Sequence, residues 1–251
     1  MRAIQMRAVS GLDYHGESRP AAAGPKAGGD FFDLVPLEGE GLAVSLGEMS
    51  GFGAGTSVLM SGLRASLRGF AENGRGKISA TVQALNQTIW ELTPGDLYGR
   101  LFYARLDAAT CELTYVSAGH EPVLLVRRHP ARVRRLETTG AVLGLARHSE
   151  YRQLAISLEP GDLLVAFSGG ISDATNAAGR EWSEGGVLQV VNQTPDARAA
   201  DLARDILTEA DRFTGHAVPA DDRTVVVVRF QGRGQETAFE ASAAERAFAA
   251  A

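Results

Sequence analysis

Residues 28–53 read GGDFFDLVPLEGEGLAVSLGEMSGFG and alternate strand-like runs with glycine-rich turns. The apolar runs Phe31 to Leu37 and Leu42 to Leu46 predict two strands, separated by the polar turn at 38–41. Acidic residues stand next to the glycines on both sides of these strands. Oxygen ligands suit Mg²⁺ and Mn²⁺, so carboxylates placed where strands end can converge on one hard cation.

Beyond this stretch, the spacing of apolar residues changes to that of a helix. The residues that share one helical face are Leu59, Leu63, Leu67 and Phe70, and they predict a first helix. A second helix is predicted from Val82, Leu85, Ile89 and Leu92, and Pro94-Gly95 stops it. Two consecutive helices after two strands argue against a strictly alternating α/β fold.

The rest of the chain returns to strands. The predicted strands are 12–18, 101–106, 113–117, 123–126, 151–158, 163–167 and 224–230. A final helix is predicted to begin at Thr194-Pro-Asp196, because threonine caps a helix well and proline suits its first turn. The layout is α+β, with one domain over residues 1–230 and a tail over 231–251.

Composition excludes several classes of protein. The 251 residues carry a formal charge of −5 and an isoelectric point near 5.6, which gives no sign of a nucleic-acid partner. No apolar stretch is long enough to span a bilayer, and the N-terminus lacks a signal core, so we expect a cytoplasmic protein without a membrane partner. The single cysteine, Cys111, excludes an internal disulfide and predicts a small core residue.

Five acidic residues next to glycines or before the last strand are the candidates for chemistry. They are Asp30, Asp33, Glu48, Asp221 and Asp222. Their positions at predicted strand ends are compatible with a metal site, because glycine lets the backbone approach a ligand closely. Acids at strand ends are also common turn formers, and spacing alone leaves both interpretations open.

Two other active-site classes fail on context. Gly51-Phe-Gly-Ala-Gly55 lies between a strand and a helix, as a dinucleotide-binding loop does. Its third glycine is misplaced and no second strand ending in an acid follows, which excludes that fold. Ser50 lies in Gly-Glu-Met-Ser-Gly, so the nucleophile elbow of a serine hydrolase is also excluded.

Four motifs occur in a recognisable order. They are Gly28-Gly-Asp-Phe-Phe-Asp33, the Gly-x-x-Ser-Gly-x-Gly turn at 47–53, Ser117-Ala-Gly-His-Glu-Pro122 and Pro219-Ala-Asp-Asp-Arg-Thr-Val225. In this order and spacing they resemble SpoIIE/RsbU-type serine/threonine phosphatases, a branch of the metal-dependent protein phosphatase (PPM) family. The resemblance covers nearly the whole chain, from about residue 12 to residue 230.

The resemblance implies a β-sandwich of two antiparallel sheets flanked by helices, with a two-metal site of Mn²⁺ or Mg²⁺ at one edge. By position, the resemblance implies metal-site roles for Asp30, Glu48 and Asp221 and for the neighbouring Asp222, and catalytic roles for the first three of these residues. The implied substrate is a phosphorylated regulatory protein of a bacterial signalling pathway, such as an anti-sigma-factor antagonist. For His120 in its turn we expect a structural role, since its ring nitrogens suit hydrogen bonding.

Two departures from the family pattern leave two functions open. The family's bridging aspartate is Glu48 here, whose carboxylate lies about 1.5 Å further out. A further metal aspartate is replaced by Gly169, and Asp173 could reach the site only if strict ligand geometry allows it. We therefore expect either a metal-dependent phosphatase with a weakened site, or a degenerate pseudophosphatase that acts as a protein-binding module.

Overall fold

The computed structural model describes residues 8–21, 29–50, 54–73, 77–93, 97–128, 131–215, 217–219 and 221–232. The strands, numbered along the chain, are β1 (Leu12–Arg19), β2 (Asp30–Pro36), β3 (Gly41–Met49), β4 (Gly99–Asp107), β5 (Glu112–Ala118), β6 (Val123–Arg128), β7 (Ala131–Leu136), β8 (Leu154–Ser157), β9 (Leu163–Phe167) and β10 (Arg223–Phe230). The helices are α1 (Ala54–Glu72), α2 (Ile78–Leu92), α3 (Gly169–Ser172), α4 (Ser183–Gln193) and α5 (Ala199–Phe213).

The strands form two five-stranded sheets, in the orders β1-β10-β9-β6-β7 and β2-β3-β4-β5-β8. All of their strand pairs are antiparallel. Helices α1 and α2 cover the outer face of the second sheet, and α3, α4 and α5 cover that of the first. The predicted α+β sandwich of two antiparallel sheets with flanking helices is therefore confirmed.

Alternation along each strand decides which side chains enter the core between the sheets. On β3, Leu42, Val44 and Leu46 face the opposite sheet and are fully buried. Ala43 on the same strand faces the helices instead. Because both faces are covered, β3 is apolar nearly throughout, and its register with β2 and β4 is strongly specified.

For two apolar residues, the prediction that they face the core is wrong. In α1, Leu63 and Leu67 are buried, but the side chain of Phe70 is 44% exposed. In α2, Leu85 is buried, while Leu92, the last residue of the helix, is 65% exposed. In α1 the buried stripe continues from Leu67 to Ala71, so Phe70 lies beside the stripe and not beyond its end.

The predicted start of the last helix is also wrong. Thr194 is the C-terminal cap of α4, a helix that the sequence did not reveal, and α5 begins only at Ala199. The N-terminal residue of α5 is held from a distant strand, because the backbone N–H of Ala199 donates to Asp13 Oδ2 at 2.8 Å. The capping function predicted for Thr194 is thus performed by a carboxylate from β1.

Some expectations fall on residues that the structure does not describe. Gly51 and Gly53 of the glycine turn lie outside the described residues, as does the predicted tail from residue 233 onward.

Cys111 packs partly buried against the core between the sheets. Among the described helices, none has the length and apolar character needed to span a membrane.

Candidate active site

A cleft of about 640 Å³ opens at one edge of the sandwich. Antiparallel strands bring the start of β2, the end of β3 and the start of β4 to this edge, and the other sheet contributes the end of β9 and the start of β10. The residues that line the cleft include Asp30, Glu48, Arg100, Gly169, Asp173 and Asp221.

Three of these residues end the inward-facing rows of neighbouring strands. Asp30 is the register partner of Glu48, and Glu48 is the register partner of Arg100. Each shares the face of its strand with residues of the core between the sheets, such as Leu46 on β3 and Phe102 on β4. Two acidic side chains and one arginine therefore project from adjacent strands at the boundary between the apolar core and the cleft.

Asp30 is a carboxylate that burial leaves short of partners. Its Oδ2 atom is buried without a hydrogen bond from any described residue. Burial, followed by the nearby carboxylate of Glu48, raises the pKa of Asp30 to about 8, although hydrogen bonds from Ser168 and Thr224 oppose the rise. The site thus holds this side chain where it requires either a proton or a cation.

Glu48 lies between several groups that orient it. The backbone N–H of Gly169 donates to Glu48 Oε1 at 3.4 Å, and Arg100 Nη1 lies 4.0 Å from Oε2. Burial raises the pKa of Glu48 to about 7, whereas Arg100 and the Gly169 N–H lower it. Burial therefore outweighs these two stabilising contacts for the charged form.

His120 is a buried neighbour of Glu48. Its side chain is fully buried, and burial lowers its pKa to about 4, so the ring is neutral at pH 7. Nδ1 lies 2.9 Å from the carbonyl oxygen of Glu121 and must be the donor there, since a carbonyl oxygen only accepts. Nε2 is then an acceptor that lies 3.5 Å from Glu48 Oε1 and has no hydrogen bond from any described residue, so it can pair with Glu48 only when that carboxyl group is protonated. This arrangement matches the structural role expected for His120.

The two consecutive acids before β10 have different environments. Asp222 is 3% exposed, and its oxygens accept hydrogen bonds from the backbone N–H groups of Ala21, at 2.8 Å, and Asp30, at 3.2 Å. Asp221 is exposed to the cleft and accepts from the N–H of Asp222 at 2.9 Å. Asp222 therefore positions the backbone of Asp30, whereas Asp221 presents a carboxylate to the cleft.

Asp33 does not belong to the site, although it was predicted from the sequence to be one of the acidic residues at strand ends. It lies in the middle of β2, and alternation turns it to the face covered by α1. There its carboxylate accepts hydrogen bonds from Arg68 at 3.0 and 2.7 Å and from Arg64 at 3.4 Å. The prediction that Asp33 lies at a strand end is therefore wrong. Its buried carboxylate binds α1 to the sheet.

Two adjacent glycines after β9 have different reasons to be glycine. A Cβ on Gly170 would lie 2.0 Å from the carbonyl oxygen of Asp222, so no side chain fits there. A Cβ on Gly169 would make ordinary contacts, at 3.4 Å to Glu48 Oε2, 3.5 Å to Asp173 Oδ2 and 3.9 Å to Arg100 Nη1. Gly169 thus lies among three charged groups in space that a side chain could occupy.

The donor set fits one hard cation better than two. The unpartnered Oδ2 of Asp30 and the neighbouring carboxylate of Glu48 suit Mg²⁺ or Mn²⁺, which bind through one or two carboxylates and keep water or phosphate ligands. Within the described parts of the chain, no group of three or more His, Cys, Asp or Glu side chains could hold a metal ion. Gly169 offers no side chain, and the oxygens of Asp222 already accept backbone N–H groups.

Arg100 is the site residue that sequence reasoning missed. Its signal was alternation, because Arg100 precedes Phe102, Ala104 and Leu106 at a spacing of two and so shares their inward face. An arginine at the end of an otherwise apolar inner row needs a counter-charge, and a carboxylate on the next strand supplies it.

Sequence comparison identifies relatives over most of the chain. The model of the family described as Stage II sporulation protein E (SpoIIE) matches residues 38–231. The chain is 27% identical over 205 residues to the phosphoserine phosphatase RsbU of Bacillus subtilis, and 26% identical over 231 residues to Protein IcfG of Synechocystis sp.. Each match covers 80% of this chain, but only 59% of RsbU and 35% of IcfG.

Solved structures share the same fold. The RsbU and RsbW domains of Rv1364c from Mycobacterium tuberculosis superpose with a TM-score of 0.75 at 28% identity, over 90% of this chain and 62% of that one. The PP2C phosphatase domain with a regulatory-domain fragment of SpoIIE from Bacillus subtilis gives a TM-score of 0.69 at 19% identity, over 87% and 63%. The second likeness concerns the fold alone.

Proposed function

The chain belongs to the SpoIIE family, a group with the PP2C-type phosphatase fold, and we propose that it hydrolyses phosphoserine or phosphothreonine with the help of a divalent cation. The observation that carries the proposal is the buried, unpartnered Oδ2 of Asp30, beside whose carboxylate the register partner Glu48 also lines the cleft. Two carboxylates with raised pKa values beside open space are the arrangement expected of a cation site.

In this proposal, Asp30 and Glu48 hold Mn²⁺ or Mg²⁺, and Asp221 presents a third carboxylate from the other sheet. The cation supplies Lewis-acid chemistry: it lowers the pKa of water and neutralises phosphate charge. The chain's own residues prepare the ligands. Asp222 accepts a hydrogen bond from the backbone N–H of Asp30 and so positions it, while the backbone N–H of Gly169 orients Glu48.

For the substrate we propose a phosphorylated regulatory protein of the anti-sigma-factor antagonist type, in the cytoplasm of a bacterial cell. The support is the likeness to RsbU, which is described as a phosphoserine phosphatase, and to the RsbU domain of the Mycobacterium tuberculosis protein. A cleft of about 640 Å³ that opens at the sheet edge has room for a phosphorylated side chain on a protein surface.

A specific observation favours the second candidate, a pseudophosphatase that binds a partner protein without turnover. Gly169 removes one carboxylate from the cleft, and the described residues assemble no three-ligand metal group. The fold survives this loss, because the three apolar clusters that hold the sheets and helices together do not depend on the cleft.

The two functions are separated by Mn²⁺ titration calorimetry, with p-nitrophenyl phosphate turnover measured on the same samples. We expect one Mn²⁺ per chain and metal-dependent turnover. Asp30→Asn should lower turnover roughly a hundredfold or more, since the cation's charge is worth several kcal/mol in the transition state. Asp201→Asn, at an exposed pair on α5, is the control and should behave as the parent.

Metal binding without turnover of this compound or of a phosphopeptide would favour the binding module. Turnover that survives Asp30→Asn at the parental rate would remove the proposed site from consideration.

A further inference from the structure

Positive charge is already present in the cleft without any metal. Arg100 lies at the start of β4, and its guanidinium keeps its charge at any physiological pH. Its Nη1 atom is 3.4 Å from Glu121 Oε1 and 4.0 Å from Glu48 Oε2. The side chain remains 40% exposed on a wall of the cleft. Arg100 is therefore fixed by two acids and still accessible to a ligand.

The same guanidinium borders the space that Gly169 leaves. A Cβ on Gly169 would lie 3.9 Å from Arg100 Nη1, so a carboxylate at position 169 would project among Arg100, Glu48 and Asp173. The chain thus combines a missing carboxylate with an added guanidinium in the same few ångströms. Removing one negative charge and adding one positive charge lowers the affinity of this corner for a second divalent cation.

Phosphate is the ligand chemistry that suits this corner. A guanidinium presents five N–H donors in a planar fork that matches the oxygens of phosphate and binds them in pairs. With described residues, the Arg100 guanidinium makes one hydrogen bond, the long one to Glu121, which leaves donors for a ligand. Glu121 and Glu48 hold the guanidinium from the side of β5 and β3, so the ligand approaches from the cleft.

We propose that Arg100 binds the phosphate monoester dianion of the substrate and supplies the positive charge that a second cation would otherwise bring to the side of Gly169. The inference rests on the proposed phosphatase function and names the residue that recognises the phosphate. Arg100 then positions the phosphate beside Asp30 and Glu48, while the leaving group and protein chain of the substrate extend out of the cleft.

The test measures phosphate binding directly, so it does not depend on turnover. Inorganic phosphate is titrated calorimetrically into the parent, Arg100→Gln and Arg100→Lys, each in saturating Mn²⁺. Arg100→Gln should weaken phosphate binding about tenfold or more, and Arg100→Lys should recover part of the loss, because lysine keeps the charge without the fork. Arg147→Gln, at an exposed pair with Glu91, is the control and should bind phosphate as the parent does.

Metal stoichiometry and kinetics supply further readouts. The parent and Arg100→Gln should each bind one Mn²⁺, and where turnover is present, Arg100→Gln should raise KM for p-nitrophenyl phosphate more than it lowers kcat. The proposal is overturned if the parent binds no phosphate, if Arg100→Gln binds it equally well, or if the parent binds two Mn²⁺. Arginine-dependent phosphate binding without turnover would support this inference and reject the proposed hydrolysis.

Discussion

Asp30 and Asp33 lie three residues apart on the same strand and meet opposite fates. Asp33 points to the helix-covered face, where Arg68 and Arg64 neutralise it. Asp30 points to the face between the sheets, where its Oδ2 atom has no described hydrogen-bond partner and its pKa rises to about 8. One strand thus carries a carboxylate that stabilises the fold and another that the fold keeps in an unfavourable state.

The difference shows what separates a structural acid from a candidate ligand. Both side chains are largely removed from water, so burial alone does not distinguish them. What distinguishes them is whether the protein itself supplies the opposite charge. A buried acid without that charge costs stability, and such a cost is expected where binding of a cation repays it.

The most direct test of this comparison neutralises each acid in turn in metal-free protein. Asp33→Asn should lower the free energy of unfolding by about 1–3 kcal/mol, because the guanidinium of Arg68 loses its charged acceptor. The effect stays below that of a fully buried pair, since Arg64 and Arg68 are each 41% exposed. Asp30→Asn should instead raise the free energy of unfolding at pH 8. Urea denaturation with a chelator present measures both, and two changes of the same sign would break the comparison.

A second effect is the dependence of stability on pH in the metal-free protein. Asp30 has a pKa of about 8 in the folded state against 3.8 for the free side chain, so between these values the folded state binds more protons. Stability from this group is therefore present below about pH 4 and is lost as the pH rises towards 8, at up to about 1.4 kcal/mol per pH unit. Glu48, with a pKa raised to about 7, acts in the same direction.

The measurement for this effect is urea denaturation of metal-free parent and Asp30→Asn between pH 5 and 8.5. The parent should lose more stability than the variant over this range, and saturating Mn²⁺ should remove the difference in slope. Identical slopes in parent and variant would mean that Asp30 does not hold a proton in the folded state.

The smallest expected effect comes from rebuilding the missing carboxylate. Gly169→Asp combined with Glu48→Asp should raise Mn²⁺ affinity about tenfold, roughly 1.4 kcal/mol, and turnover should rise with it. Position 169 has room for the Cβ, and the shorter acid at 48 clears the nearest contact. Gly169→Ala with Glu48→Asp is the matched control without the new carboxylate. A double variant that binds Mn²⁺ no better than this control would show that the cation site lies elsewhere.

Local patterns predicted most of the elements and failed where a distant residue decides. Strand runs such as that of β10 and the buried stripe of α1 follow from the alternation or helical spacing of apolar residues. The start of α5 did not, because its N-terminal N–H is held by Asp13, which lies 186 residues away in sequence. Phe70 was predicted to be buried because it is three residues from Leu67, but the structure buries Ala71 in that turn of the helix instead.

The candidate site was also predicted only in part from the sequence. The acids Asp30, Glu48 and Asp221 could be named from motifs, and the loss of the carboxylate at Gly169 was visible from the letters alone. Their environments were not visible: Asp33 was grouped with them, and Arg100 was overlooked. Both errors concern partners on other elements, since Asp33 is neutralised from α1 and Arg100 lies beside Glu48 on the next strand.

The amino-acid sequence therefore specifies which residues face inward on each strand and which glycines and acids mark the strand ends. It also indicates that two sheets with outer helices bury these inward-facing apolar residues. The tertiary structure decides which row ends meet. Strand register brings Asp30, Glu48 and Arg100 into one line, and packing of the other sheet, which contains β9, places Gly169 beside them. The physical reason is that alternation is a property of one strand, whereas register and sheet packing are set by burial of the whole core.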